Sequence, residues 1–97
     1  MKTLDTYINQ VKDKLKLKSY KETMEYLGMH RQAWTAIQNG AGVTEKNAIR
    51  IAEILKIDPI EIMSVSLALK AKNRESRNLW LKHAKDVEKQ RLENNED

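Results

Sequence analysis

His30, Arg31, Gln32, Thr35 and Asn39 lie within ten positions of one another, and all are side chains that can address the edges of nucleobases. Arg pairs bidentately with guanine O6 and N7, Gln and Asn pair with adenine N6 and N7, and the Thr methyl touches the thymine methyl. Short or forked polar side chains at the N-terminal end of a helix suit a major groove, where each base pair shows a distinct donor and acceptor pattern. Nearby, Tyr20 and Lys21 open one expected helix, while Thr44, Lys46 and Asn47 open another. Unfilled N–H groups and a positive dipole end at such places suit anionic phosphate oxygens. The first set is the candidate for reading bases, the second for holding phosphates.

Other chemistries lack their residues. With no Cys in the chain, there is no thiolate metal site, no cysteine nucleophile and no disulfide framework calling for an oxidising compartment. His83 sits near Trp80 and Asp86 with no second ligand at metal-binding spacing, and reads as a surface or interface residue. There is no Gly-rich phosphate loop and no Ser/His/Asp order, and the many Glu residues are expected at solvated helix positions. The chain is expected to be no enzyme and to need no cofactor or metal. Met24, Trp34, Ile37 and Met63 read as core.

Composition agrees with a small soluble helical domain. The 97 residues are 40% hydrophobic and 33% charged, with one Pro and three Gly; that balance argues against disordered and collagen-like chains. No apolar stretch approaches the roughly 20 residues of a membrane span, and no secretory signal opens the sequence. A cytoplasmic protein without membrane contact is expected. The formal net charge is +4. Residues 1–43 carry seven Lys/Arg against four Asp/Glu, 44–72 five against four, and 73–97 six against six, so the basic excess falls in the first half, where a polyanion is expected to bind.

The elements that must position these residues are helices. Leu4, Tyr7, Ile8, Val11 and Leu15 recur at helical spacing behind Thr3, the expected cap. Lys12, Lys14, Lys16 and Lys18 spread charge around that helix's end. Ser19 and Glu22 form a capping-box pattern, with Glu22 expected to reach the Ser19 N–H. The short second helix ends at Gly28. A third is expected from about Arg31 to Gln38, with Ala33, Trp34 and Ile37 inward, closed by the turn Asn39-Gly40-Ala41-Gly42. Thr44 caps a fourth, carrying Ala48, Ile51, Ala52 and Leu55 at clean spacing. Asp58-Pro59-Ile60-Glu61 starts a fifth, with Glu61 as its capping-box glutamate. That helix is apolar nearly all round and must be covered on more than one side. Leu79, Trp80, Ala84 and Val87 make a further helical stripe, and the sequence beyond Glu88 is expected to fray.

Two short helices joined by a Gly-containing turn, with one helix before and two after, have the layout of a helix-turn-helix domain. Residues 19–40, SYKETMEYLGMHRQAWTAIQNG, resemble the helix-turn-helix of the phage repressor and Cro-like family. Leu27, Gly28, Met29, Trp34, Ile37 and Gly40 fall on its pattern, and TEKNAIRIAEILKIDPIEIM resembles the family's next two helices. The match covers about residues 4–66. Met24 stands where the family generally has Ala, and Trp34 where it has Ile or Val, so a bulkier contact between the two helices is expected. The segment from Ala68 to Asp86 also resembles a tail found in small phage-related proteins.

The resemblance implies an all-α, lambda-repressor-like domain of five or six helices over residues 1–72, with a C-terminal helical extension and frayed charged tail over 73–97. It implies a sequence-specific, double-stranded DNA-binding transcription regulator, phage-derived, reading an operator with residues 30–39. The alternative is a protein-interaction module of the same fold, an antirepressor or antitoxin-like partner. Such regulators usually read two half-sites, so a homodimer is expected, built from residues about 60 to 87 of helix five and the last segment, with Leu69, Leu79, Trp80, Ala84 and Val87 at its interface. The rival arrangement folds the last helix back onto the fifth within one chain.

Overall fold

The computed structural model describes residues 3–94. Among them lie six helices and no strand: α1 (Leu4–Lys14), α2 (Tyr20–Tyr26), α3 (Ala33–Gln38), α4 (Glu45–Leu55), α5 (Pro59–Lys70) and α6 (Arg74–Asn94). The all-α class expected from composition and periodicity holds. The apolar stripe of α1 is buried through Leu4, Tyr7, Ile8 and Val11, and it meets Met24 and Leu27, Ile37, the α4 stripe, and Ile62 and Val65 of α5 in one core. The expectation that α5 must be covered on several sides also holds, since α1, α4 and α6 all pack on it.

Local chemistry sets most boundaries. Ser19 Oγ accepts from the Glu22 N–H at 3.1 Å, Thr44 Oγ1 from Asn47 at 3.3 Å, and Asp58 Oδ1 from Ile60 at 2.9 Å, with Pro59 at the first helical position. The Glu22 carboxylate accepts from the Lys18 N–H at 2.9 Å, one residue earlier than a capping box requires. Thr3 holds the extended backbone of an N-cap, but its hydroxyl turns to the Asp5 carboxylate and makes no cap bond. Gly28 takes a φ of +73°, which lets the Met29 N–H return to the Met24 carbonyl at 2.8 Å and close α2. The third helix starts two residues later than expected. Arg31 and Gln32 lie in a turn tied by the Ala33 N–H to the His30 carbonyl, and by the Gln32 N–H to His30 Nδ1 at 3.2 Å.

Glu61 departs furthest from expectation. It is not a solvated capping residue: it is fully buried, accepting the Tyr7 hydroxyl at 2.5 Å on Oε2. Arg91 grips the same carboxylate, with Nε donating to Oε1 at 2.9 Å and Nη2 to Oε2 at 3.3 Å. Burial, reinforced by the hydrogen bond to Glu61, pushes the Tyr7 hydroxyl above the ordinary phenol range. The bonds to Glu61 likewise raise the Arg91 guanidinium. A buried charge tolerates this position only because both carboxylate oxygens have donors.

The C-terminal segment is corrected by the same contact. After a short turn at residues 71–73, α6 packs chiefly on α5 and buries Ala84 in the shared core. It remains helical to Asn94, so the fraying expected beyond Glu88 does not occur through that residue, and residues 95–97 lie outside the described residues. Residues 74–94 complete the core rather than extend from it.

Candidate nucleic-acid interface

On α3 the burial follows helical geometry. Ile37 is buried and Ala33, four residues earlier, is half-buried, while Gln32, Thr35 and Asn39 are all exposed. The spacing i, i+3, i+7 puts those three in one stripe on the side away from Ala33 and Ile37. His30 and Arg31 are exposed just before the helix. His30 is tied down by its Nδ1 bond to the Gln32 N–H, so it shapes the entry turn. All five candidate base-reading residues are thus exposed, two in the entry turn and three along α3 and its caps.

The phosphate set divides. Lys21, Thr44 and Lys46 are exposed and Asn47 is half-buried. Tyr20 is withdrawn from the role expected of it. Its ring stacks on Trp34 with centroids 4.0 Å apart and planes 8° from parallel, its hydroxyl donates to Asn9 Oδ1, and Lys12 Nζ lies 5.4 Å from its ring centroid. This layer of cation, phenol and indole ties α1, α2 and α3 together; such contacts contribute about 0.5–1.5 kcal/mol each. It also explains where the bulk of Trp34 goes. The indole is half-buried and lies against Tyr20, while Met24 alone fills the buried position. One backbone donor in the first turn of both α2 and α4 is already taken, by Ser19 and Thr44. Phosphate attraction there rests mainly on Lys21 and Lys46.

Two supports missed by sequence reasoning tie down the segments that flank α3, one at Leu27 and one at Val43. Arg50 Nη1 donates to the Leu27 carbonyl at 3.4 Å and closes over Gly28, where an added Cβ would stand 3.0 Å from it. Ser66, buried in α5, accepts the Val43 N–H at 2.8 Å and donates to the Val43 carbonyl at 2.9 Å, with Lys70 Nζ joining that carbonyl at 3.0 Å. A Cβ at Gly42 would come within 2.6 Å of Ser66 Oγ. The loop between α3 and α4 is thereby pinned to the core. A signal for Ser66 existed: two serines in an otherwise apolar helix need buried partners.

The residues expected to form a dimer are largely used within the chain. Ala84 is buried, Leu69, Trp80 and Val87 are half-buried, and Leu79 alone is exposed, at 62%. Another apolar stripe remains open on α5, where Ile60 and Leu67 are 41% and 39% exposed with Met63 half-buried between them. His83 is exposed, its ring edge-on to Trp80 at 6.3 Å. Among the described residues no cluster of three His, Cys, Asp or Glu is placed to hold a metal, and no helix is long and apolar enough to cross a membrane.

No family model, curated protein or solved structure matches the chain.

Proposed function

We propose that this chain is a sequence-specific, double-stranded DNA-binding transcription regulator of the lambda-repressor-like helix-turn-helix kind, phage-derived and cytoplasmic. In this reading α2 and α3 are the motif and α3 enters the major groove. One observation carries it: the exposed stripe Gln32, Thr35 and Asn39, headed by Arg31, on a short helix whose opposite side is buried and whose flanking segments are tied down at Leu27 and Val43. Side chains held this way can discriminate bases, because their supporting helix does not shift when they bind. Lys21 and Lys46 supply phosphate contacts that set orientation and carry no sequence information.

The test selects a site from random DNA and compares two variants on it. Gln32→Ala costs about 1–3 kcal/mol on the selected site and relaxes preference at one base position, with little loss on random DNA. Lys21→Ala weakens all sequences alike and flattens the salt slope by about one unit. Equal losses on selected and random DNA for Gln32→Ala would remove that residue from base reading. The protein-partner reading draws on Tyr26, whose ring is exposed on α2. A stable stoichiometric protein complex, with no site selected from DNA, is the outcome that favours it.

For assembly we propose a homodimer centred on the open α5 stripe Ile60, Met63 and Leu67, the helix-five part of the expected surface, since Ala84 on α6 is buried in the core.

A further inference from the structure

The charge of α6 is not spread evenly. Residues 72–85 carry Lys72, Arg74, Arg77, Lys82 and Lys85 against Glu75 alone, so their surplus equals the +4 of the entire chain. The acidic residues that follow hide this surplus when 73–97 is counted as one block. All five cations are exposed, and among the described residues none has an ion-pair partner, whereas Lys89 further along is paired with Glu93 at 4.0 Å.

They also share one surface. Lys72, Arg74 and Arg77 line a shallow cleft with Asn73, Asn78 and Leu81. Asn78 and Leu81 continue into a second cleft bordered by Lys82 and Lys85. No carboxylate lines either. Arg74, Asn78, Lys82 and Lys85 fall at i, i+4, i+8, i+11, one side of a helix, away from the buried Ala84. From Arg74 to Lys85 the run is about 17 Å long at 1.5 Å per residue.

We propose that this half of α6 is a second nucleic-acid contact surface, one that binds the phosphate backbone of duplex DNA without sequence preference. A small anion needs convergent donors, and these cations are strung along a line. An amphipathic membrane anchor needs an apolar face in contact with lipid, and the apolar edge of α6 is turned to α5. A line of about 17 Å is as long as the rise of about five base pairs at 3.4 Å each, so its cations can reach several phosphates at once. The surface is distinct from the base-reading element, since α6 makes no contact with α3. The inference extends the DNA reading but depends on different residues.

The test measures affinity for a random-sequence duplex of about 25 base pairs between about 50 and 200 mM salt, using the full chain and the variant R77A/K82A/K85A. These residues are exposed, and an unchanged melting temperature verifies the fold. The expected result is a loss of tenfold or more at low salt and a salt slope shallower by two to three units, each phosphate contact contributing about 0.9. The variant R77K/K82R/K85R retains wild-type binding. An unchanged slope in the alanine variant, or a wild-type chain that does not bind random duplex at low salt, overturns the proposal. So does a polyglutamate chain that binds as tightly as DNA and loses affinity equally in the variant, which would mark an acidic protein as the partner. If Gln32→Ala fails to alter base preference while the α6 variant still loses its slope, the base-reading proposal falls and this one stands.

Discussion

Glu61 is a single charge placed where the core offers no water, and the chain tolerates it because Tyr7 and Arg91 occupy both carboxylate oxygens. Removing one partner is worse than removing all three, because a lone buried carboxylate keeps its desolvation cost and loses its compensation. Arg91→Met is expected to cost about 3–5 kcal/mol in urea unfolding. The triple change Y7F/E61M/R91M returns most of that stability, since a well-packed apolar cluster replaces the network. A single Arg91→Met variant as stable as the parent would show that the end of α6 is not anchored here. The sequence contained half of this. Glu61 stands four and seven residues before Val65 and Ala68, both buried, so helical spacing already puts it on a core face; the Asp58-Pro59 cap drew attention to its capping register instead. Arg91 lies 30 residues away in a stretch with no apolar spacing, and nothing local marks it as an anchor.

At the scale of elements, boundaries were legible where a side chain makes the boundary. Ser19, Thr44 and Asp58 each cap the helix they precede, and α2, α4 and α5 begin as the sequence indicates. The start of α3 has no such marker. Its N-cap, Gln32, has helical dihedrals and makes no side-chain cap bond, so polar residues continuous with the helix conceal where it begins. Gly28 is different, because its conformation and its neighbours both act on it. Gly28→Ala is expected to destabilise the chain by about 1–2 kcal/mol, the cost of a Cβ in the left-handed region. The 3.0 Å approach to Arg50 adds little if the guanidinium swings aside, so the loss persists undiminished in an R50A background. Denaturant titration of the four chains decides this: a loss that vanishes with Arg50 would assign the cost to the clash instead of the backbone.

For the molecule as a whole, the apolar stripe of the last helix was visible in the sequence, but its partner was not. Leu79, Trp80, Ala84 and Val87 satisfy an intramolecular or an intermolecular contact equally well on spacing alone. The short turn at residues 71–73 returns α6 to α5 and places Ala84 in the core, with Trp80 and Val87 half-buried and Leu79 exposed. What remains for assembly is the stripe that α6 leaves open, Ile60, Met63 and Leu67 at i, i+3, i+7 on α5. On the proposed DNA-binding reading a second copy is needed to read half-sites about 34 Å apart, and exposed apolar residues at helical spacing are the surface on which one can dock. Two variants separate the helices. Trp80→Ala is expected to lower stability by about 2 kcal/mol, less than a fully buried aromatic because the indole is half-buried, with no change in sedimenting mass. Leu67→Glu is expected to leave the melting temperature near that of the parent and to convert the dimer to monomer, weakening binding to a two-half-site operator while single half-site binding persists. A parent chain that sediments as a monomer at high micromolar concentration, or a Leu67→Glu chain that remains dimeric, excludes the α5 interface.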